Sequence, residues 1–238
     1  MSYNYKDGKQ RVLNILKKDI KVEKVDTIPA TLSEFTYDNA VITWVSAIFV
    51  DLRNSTNFLE NGNKDKVTKL LRAYASEIIA IMNESVGVRE IGVRGDGIFG
   101  IFSTNSQEKI KEVLHLSYWI NTYMNMLNEL LKSSGYDEVK AGIGVATSYD
   151  LIAKVGRKGT GVNDRVWIGK CVSTADRLSK ITNKGTKPIA INQLTFNNTN
   201  DVDKSVSKYF SYDESNNCYF GDVIMSEFNN WILGGMKE

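Results

Sequence analysis

Two aspartates interrupt apolar runs, and they are the residues around which the rest of the chain can be organised. Asp51 ends the run AIFV, and Asp96 lies in a Gly-Asp-Gly triplet that precedes IFGIF. Both runs are short and rich in β-branched and aromatic residues, which indicates buried strands rather than helices. A buried carboxylate is costly unless it is paired, and two carboxylates from separate strands can share a divalent metal ion. The sequence therefore predicts Asp51 and Asp96 as metal ligands.

Each aspartate also has a purely structural interpretation. Asp51 would cap a following helix, and Asp96 would form a tight turn between its two glycines. For either residue alone this interpretation is the more economical one. The pair becomes informative when it is read together with the motifs that follow it.

Hydrophobic periodicity predicts the elements that position these residues. Helices are predicted at residues 7–20, 66–83, 107–131 and 169–181. Single strands are predicted at residues 42–51 and 188–192. Hairpins are predicted from residues 86–93 with 98–102, from 139–146 with 151–155, and over 209–225. An extended arm is expected over residues 21–40, and a mobile, basic loop over 157–165.

This order of elements predicts an α+β domain in which one mostly antiparallel sheet carries helices on a face. Hydrophobic residues make up 42% of the 238 residues and charged residues 24%, as in ordinary soluble domains. The net charge of +2 excludes a surface built to coat nucleic acid or membrane. Two cysteines, no apolar signal core near Met1 and no run of membrane-spanning length lead us to expect a cytoplasmic protein.

Four segments in unbroken order resemble the class III nucleotidyl cyclases. They are residues 49–56 (FVDLRNST), 95–102 (GDGIFGIF), 141–146 (AGIGVA) and 167–178 (WIGKCVSTADRL). The similarity covers roughly residues 42–185. Each segment alone is a weak signal, and the ordered set is the specific one.

The resemblance implies a palm-like, ferredoxin-like fold and a head-to-tail homodimer with active sites in the seam. Together with the predicted elements, it leads us to expect an N-terminal helix and arm (1–40) and a catalytic domain (41–238). It implies two divalent metal ions, Mn²⁺ or Mg²⁺, held by Asp51, Asp96 and the backbone carbonyl of Leu52. The amides of Arg53, Asn54, Ser55 and Thr56 are expected at the start of a helix, where phosphate is favoured.

Two residues of the fourth segment match the positions of the family's transition-state groups. Arg177 would donate to the reacting phosphate as charge builds, and Ser173 stands where the family has asparagine. Residues four apart on a helix share a face, so both are expected to reach into the partner subunit's metal site. The alternative for Arg177 is an ordinary surface ion pair.

The positions that read purines in this family have changed. Gly92 stands where purine cyclases have lysine, and Val166 stands where they have a second base-reading residue. Strand alternation aims Arg94 at the same cleft as Gly92 and Asp96, and its guanidinium offers only donors, which suits the carbonyls of uracil. Arg94 could instead bind phosphate, and Lys154 could help to clamp a triphosphate.

The chain thus resembles the standalone bacterial pyrimidine cyclases of antiphage signalling. The sequence predicts a metal-dependent enzyme that converts UTP, in preference to CTP, into the cyclic monophosphate and pyrophosphate. A separate effector protein would read the product, and no nucleic-acid partner is expected. The alternatives are an adenylate or guanylate cyclase with atypical base contacts, and a catalytically silent nucleotide-binding dimerisation module.

Overall fold

The computed structural model describes residues 3–53, 62–182 and 187–237. The helices within these ranges are α1 (Tyr5–Leu16), α2 (Lys64–Asn83), α3 (Gln107–Ser133), α4 (Cys171–Thr182), α5 (Gln193–Val202), α6 (Val206–Tyr209) and α7 (Ser226–Leu233). The strands are β1 (Lys21–Lys24), β2 (Asn39–Leu52), β3 (Val88–Arg94), β4 (Gly97–Ser103), β5 (Ala141–Gly156), β6 (Asn163–Ile168), β7 (Ile189–Ile191), β8 (Phe210–Asp213) and β9 (Cys218–Gly221).

The strands form one sheet in the order β3-β4-β2-β5-β7-β9-β8, with β1 paired to β2 and β6 paired to β5. The β1–β2 and β5–β7 pairs are parallel, and the other described pairs are antiparallel. The predicted α+β architecture with a mostly antiparallel sheet is confirmed. The centre of the sheet is the β2–β5 pair, which runs over thirteen positions from Ala40↔Ala153 to Leu52↔Ala141.

The sheet has a packed core on each face because side chains alternate along its strands. On one face Ile48, Val50 and Leu52 of β2 pack with α2 and α3. On the other face Val45 and Ala47 pack with α4. The second face is the one that carries the candidate site.

The long helices that cover the first face have clear sequence causes. α2 begins where the side chain of Asn63 accepts hydrogen bonds from the backbone N–H groups of Asp65 and Lys66. Its buried residues recur at helical spacing and are Val67, Leu70, Tyr74, Ile78 and Met82. The helices predicted at 66–83 and 107–131 therefore agree closely with α2 and α3.

The predicted hairpin of residues 139–146 and 151–155 is wrong, because Ala141–Gly156 is one continuous strand. Its polar middle, which suggested a turn, finds partners on β2 and at the start of α4. Thr147 Oγ1 lies 2.8 Å from Ser46 Oγ, and the buried Asp150 carboxylate accepts the Cys171 N–H at 3.0 Å. Hydrogen-bonded polar groups can stay in a buried strand, whereas unpaired ones cannot.

The segment after β5 also differs from the prediction. Asn163–Ile168 forms β6, which pairs antiparallel with β5, so a regular strand occupies part of the predicted mobile loop 157–165. At the N-terminus, α1 ends at Leu16 rather than at residue 20, and part of the expected arm is β1. α7 was not predicted, and it packs on α3 with the Phe228 and Trp119 rings 5.8 Å apart.

α4 lies directly on β5 because two glycines allow close approach. A Cβ at Gly144 would come within 2.0 Å of the Ala175 carbonyl oxygen of α4. A Cβ at Gly169 would come within 2.1 Å of the Asp150 carboxyl group, which caps the start of α4 through the Cys171 N–H. Small residues at these points fix the height of the helix above the sheet.

Candidate active site

Asp51 lies near the end of β2, where the strand leaves the core. Its neighbour Leu52 is only 4% exposed, whereas the Asp51 side chain is half-buried and turned to the face that carries α4. A Cβ on Gly97 would lie 3.7 Å from Asp51 Oδ1. Because Gly97 has no side chain, the space beside this carboxylate stays open.

Asp96 lies in the two-residue loop that joins β3 to β4. Arg94 and Gly97 are paired across the hairpin, and Gly95 has a φ of 64°. A positive φ at the first loop position is easy only for glycine and suits the twist of a tight hairpin. The Gly-Asp-Gly triplet is thus a turn, as its structural interpretation requires, and it also presents the carboxylate next to the end of β2.

The buried phenol of Tyr74 on α2 is affected by the charges of both carboxylates. The Tyr74 side chain is 1% exposed. Burial raises the pKa of Tyr74 well above its ordinary value, and the charges of Asp51 and Asp96 raise it further. Both carboxylates therefore act on the same phenol, which stays protonated at neutral pH.

The structure brings Asp51, Asp96, Arg94 and Ser173 of the predicted site residues into one cavity of about 620 Å³. This volume suits a nucleotide-sized ligand. The remaining lining comes from β2, β4, β6, α4 and the connection between β6 and α4. It consists of Phe49, Val50, Gly97, Phe99, Trp167, Gly169, Val172, Asp176 and Lys180.

Two stacked phenylalanines form the β2–β4 wall of this cavity. The rings of Phe49 and Phe99 lie 5.2 Å apart at 15°, and the Arg94 guanidinium lies 5.7 Å from the Phe99 centroid. A Cβ at Gly92 would come within 2.4 Å of Phe99 Cζ. The Phe99 ring therefore fills the space that any side chain at position 92 would need.

α4 supplies the opposite wall and one cation. Lys180 Nζ lies 2.8 Å from Asp176 Oδ2. The hydrogen bond to Asp176 raises the pKa of Lys180, and the charges of Asp176 and Asp51 raise it further, while burial lowers it. Ser173 is exposed, and its hydroxyl donates to the Lys170 carbonyl at 3.3 Å.

Arg177 does not line the cavity of its own subunit. Its side chain is exposed and turns toward the β8–β9 hairpin, where Nη1 donates to the Asn216 carbonyl at 3.5 Å. Ser173 and Arg177 are one turn apart on α4 but contact different surroundings.

Two other predicted residues also lie outside the cavity. Val166 alternates with Trp167 along β6 and projects from the opposite face of the strand. Lys154 lies against the N-terminal arm, where Nζ donates to the Phe35 carbonyl at 3.4 Å and sits 5.7 Å from the Tyr37 ring centroid.

The predicted phosphate-binding segment is described only at its start. The backbone N–H of Arg53 donates to the Lys140 carbonyl at 2.7 Å, which continues the pairing of β2 with the start of β5. Asn54, Ser55 and Thr56 lie outside the described residues.

The carboxylates of Asp51 and Asp96 in the cavity are of the chemical type that binds divalent cations. Carboxylate oxygens are the ligands that Mg²⁺ and Mn²⁺ prefer, and Gly97 leaves room beside Asp51 Oδ1. Over the described residues no group of three or more Asp, Glu, His or Cys side chains is placed to hold a metal ion by itself. Backbone carbonyls, water and substrate oxygens would complete the coordination, as is usual for Mg²⁺.

Sequence reasoning missed Phe49, Phe99, Trp167, Asp176 and Lys180. Phe49 and Phe99 alternate with residues of the core, so strand periodicity could have placed them on the cavity face. Asp176 and Lys180 are three and seven residues after Ser173, a spacing that puts all three on one side of a helix. Trp167 was hidden because the residues before it were assigned to a loop.

Comparisons with known proteins give two curated relatives. The chain is 43% identical over 240 residues to a protein from Treponema porcinum named uridylate cyclase, covering 100% of this chain and 84% of that protein. It is 30% identical over 248 residues to a uridylate cyclase from Gulbenkiania mobilis, covering 97% and 96% of the two chains. No family model matches the chain.

Solved structures share the fold. A class III adenylyl cyclase-like ATP-binding protein from Pseudomonas aeruginosa superimposes with a TM-score of 0.69 at 16% identity, over 94% of this chain and 48% of that one. The expected cyclase-type architecture is therefore confirmed. Among the described helices none combines the length and apolarity needed to span a membrane.

Proposed function

Because the chain belongs to the class III nucleotidyl cyclase family, we propose that it converts a pyrimidine nucleoside triphosphate, UTP in preference to CTP, into its 3′,5′-cyclic monophosphate. The 3′-hydroxyl gives its proton to water, and its oxygen attacks the α-phosphorus. The bond from that phosphorus to the β-phosphate oxygen breaks, and pyrophosphate departs. The observation that carries the proposal is the presence of Asp51, Asp96 and Arg94 in one nucleotide-sized cavity.

Asp51 and Asp96 would hold the divalent cations, with the Leu52 carbonyl as a further ligand by family resemblance. When bound, such ions lower the pKa of the attacking hydroxyl and offset the charge of the pyrophosphate. The amides of residues 53–56 would bind the phosphates at the start of a helix.

The base preference is supported by the wall made from Gly92, Phe99 and Arg94. The Phe99 ring takes the space beside Gly92, so a smaller base is favoured at that point. The Arg94 guanidinium offers donors to the two carbonyl acceptors of uracil. Cytosine offers one carbonyl and one ring acceptor, which is why CTP remains the second candidate substrate.

The position of Arg177 supports a homodimer with shared sites. Since this arginine is exposed and is not among the residues that line the cavity of its own subunit, it would serve the metal site of a second copy and stabilise the charge that builds on the transferring phosphate. Ser173 lines its own cavity, and in the shared-site dimer it would also reach the seam.

The product would act as a second messenger in antiphage defence and be read by a separate effector protein. This part of the proposal is supported by the resemblance of the sequence motifs to the standalone pyrimidine cyclases of antiphage signalling.

The test is to incubate the purified protein with each of the four nucleoside triphosphates and Mn²⁺, and to resolve the products. Cyclic UMP with pyrophosphate supports the proposal, and cyclic CMP alone would reassign the base. Cyclic AMP or cyclic GMP would indicate a purine cyclase with atypical contacts. The absence of any product, with nucleotide still bound, would indicate a silent binding module.

A further inference from the structure

Two strands that are far apart in the sheet meet at one wall of the cavity. β6 pairs with β5, and β3 lies on the far side of β2 and β4. Nevertheless, Trp167 Nε1 of β6 donates to Glu90 Oε2 of β3 at 2.7 Å, and Arg165 Nη1 donates to the Arg89 carbonyl at 3.3 Å. The sheet therefore curls until β6 touches β3, and Trp167 is fixed at the point of contact.

Arg165 holds the indole from a second direction. Its guanidinium carbon lies 5.6 Å from the Trp167 centroid and 5.4 Å from the Phe35 centroid, so it contacts both rings. Its Nη2 also donates to the Ala30 carbonyl at 3.2 Å. The cation is itself fixed by the segment before β2, and the tryptophan ring is thus held at its N–H and through its π system.

We propose that Trp167 is the surface against which the nucleobase of the substrate stacks, and that Glu90 and Arg165 are positioning residues that fix its ring. The inference rests on the proposed function, from which it takes the nucleoside triphosphate as ligand. Trp167 lines the same cavity as the carboxylates that would hold the phosphate end. An aromatic ring suits a base because every base has a π face, whatever its hydrogen-bonding groups.

This assignment divides the work of base binding between two walls. Arg94, beside Phe99, would read the acceptors at the edge of the base, whereas Trp167 would contact its face. Stacking tolerates different bases, so loss of Trp167 should weaken UTP and CTP alike. Loss of Glu90 should act in the same direction but less strongly, because Arg165 still contacts the ring.

The test measures binding by titration calorimetry with two ligands in the presence of Mn²⁺. 3′-Deoxyuridine triphosphate lacks the attacking hydroxyl and binds without being cyclised, and inorganic tripolyphosphate lacks the base. We expect Trp167→Ala to weaken binding of the deoxynucleotide about tenfold and to leave binding of tripolyphosphate unchanged.

Further variants distinguish a role of Glu90 in positioning the Trp167 ring from a role in folding alone. Glu90→Gln keeps an oxygen that accepts the indole N–H, so it should bind like the unmodified protein, whereas Glu90→Ala should lose about threefold. Trp167→Phe keeps an aromatic ring, so its affinity for the deoxynucleotide should lie between those of the unmodified protein and of Trp167→Ala. Glu84→Ala, at an exposed glutamate in the turn after α2, is the matched control and should change nothing.

Equal losses for both ligands, or unchanged deoxynucleotide binding in Trp167→Ala and Trp167→Phe, would overturn the stacking role. Should Trp167→Ala fail to fold, the deoxynucleotide affinities of Glu90→Ala and Trp167→Phe test the stacking role instead. Failure of the proposed function is a different result, since the unmodified protein would then cyclise no pyrimidine nucleotide. If the unmodified protein cyclises UTP, but Trp167→Ala binds 3′-deoxyuridine triphosphate as tightly as the unmodified protein, only the stacking role of Trp167 is contradicted.

Discussion

At the scale of single residues, the chemistry depends on two carboxylates that lie on the ends of neighbouring strands. Asp51 is the last residue but one of β2. Asp96 lies in the β3–β4 turn, and the pairing of β4 with β2 begins close to it, at Val50↔Ile98. The β2–β4 register therefore sets their separation. A change of one carboxylate should affect bound cations and leave the sheet intact.

Asp51→Ala and Asp96→Ala should each lower UTP turnover by about 10³-fold or more, because each removes a metal ligand. The measurement is cyclic UMP formation, with circular dichroism to verify the fold. Asp137→Ala, at an exposed aspartate before β5, is the control and should retain full activity. A carboxylate variant with near-normal turnover would remove the metal hypothesis.

Gly92→Lys should lower kcat/KM for UTP about tenfold or more, because the new side chain must displace the Phe99 ring. Val93→Lys is the matched control, since Val93 is 52% exposed and projects from the other face of β3. If the two variants behave alike in a UTP assay, the base does not bind beside Gly92.

Some of these residues could be predicted from the sequence, and others could not. Asp51, Asp96 and Arg94 were accessible because strand alternation and a Gly-Asp-Gly turn are local patterns. The Trp167–Glu90 hydrogen bond joins residues 77 positions apart and depends on the curl of the whole sheet. No local pattern carries that information.

At the scale of elements, α4 and the β2–β5 pair determine the shape of the cavity. α4 brings Ser173, Asp176 and Lys180 to the site only because Gly144 lets the helix lie against β5. The height of one helix above one strand thus sets the width of the cavity.

Gly144→Ala should lower the free energy of unfolding by about 3 kcal/mol and reduce turnover, because the added methyl group collides with the Ala175 carbonyl. Urea denaturation and a UTP assay measure the two effects. Gly234→Ala is the control, since a Cβ there would lie at an ordinary 3.4 Å from its nearest neighbour. Equal stability of the two variants would mean that α4 can shift freely.

The elements predicted well are those whose pattern is set by apolar residues alone. α2, α3 and the β3–β4 hairpin follow their hydrophobic periodicity. β5 was split in two by the prediction because its polar residues 147–150 look like a turn until their partners on β2 and α4 are known. Tertiary hydrogen bonds override local propensity in such a segment.

At the scale of the whole molecule, the cavity of one subunit is lined by the two carboxylates but not by Arg177. Two subunits related by a two-fold axis would restore the full set of groups at each of two sites. This arrangement can be tested without a structure of the dimer.

Mixing inactive Asp51→Ala protein with inactive Arg177→Ala protein should restore part of the UTP turnover, because each mixed dimer keeps one site with all its groups. Mixing Asp51→Ala with Asp96→Ala is the control. It should restore no UTP turnover, since each metal site of the mixed dimer still lacks one carboxylate. No recovery in the first mixture at high protein concentration would argue that Arg177 acts elsewhere.

The long strand β5 has a further consequence. Residues 143–145 are paired with β2 on one side and with β7 on the other. Because both neighbouring strands hold this segment, local opening of one pairing does not release it. Their amide protons should exchange with deuterium only when the whole molecule unfolds. The exchange rate of these amides would then measure global unfolding. They lie next to Gly142 on the same strand, and Gly142 is the residue of β5 that pairs with Asp51.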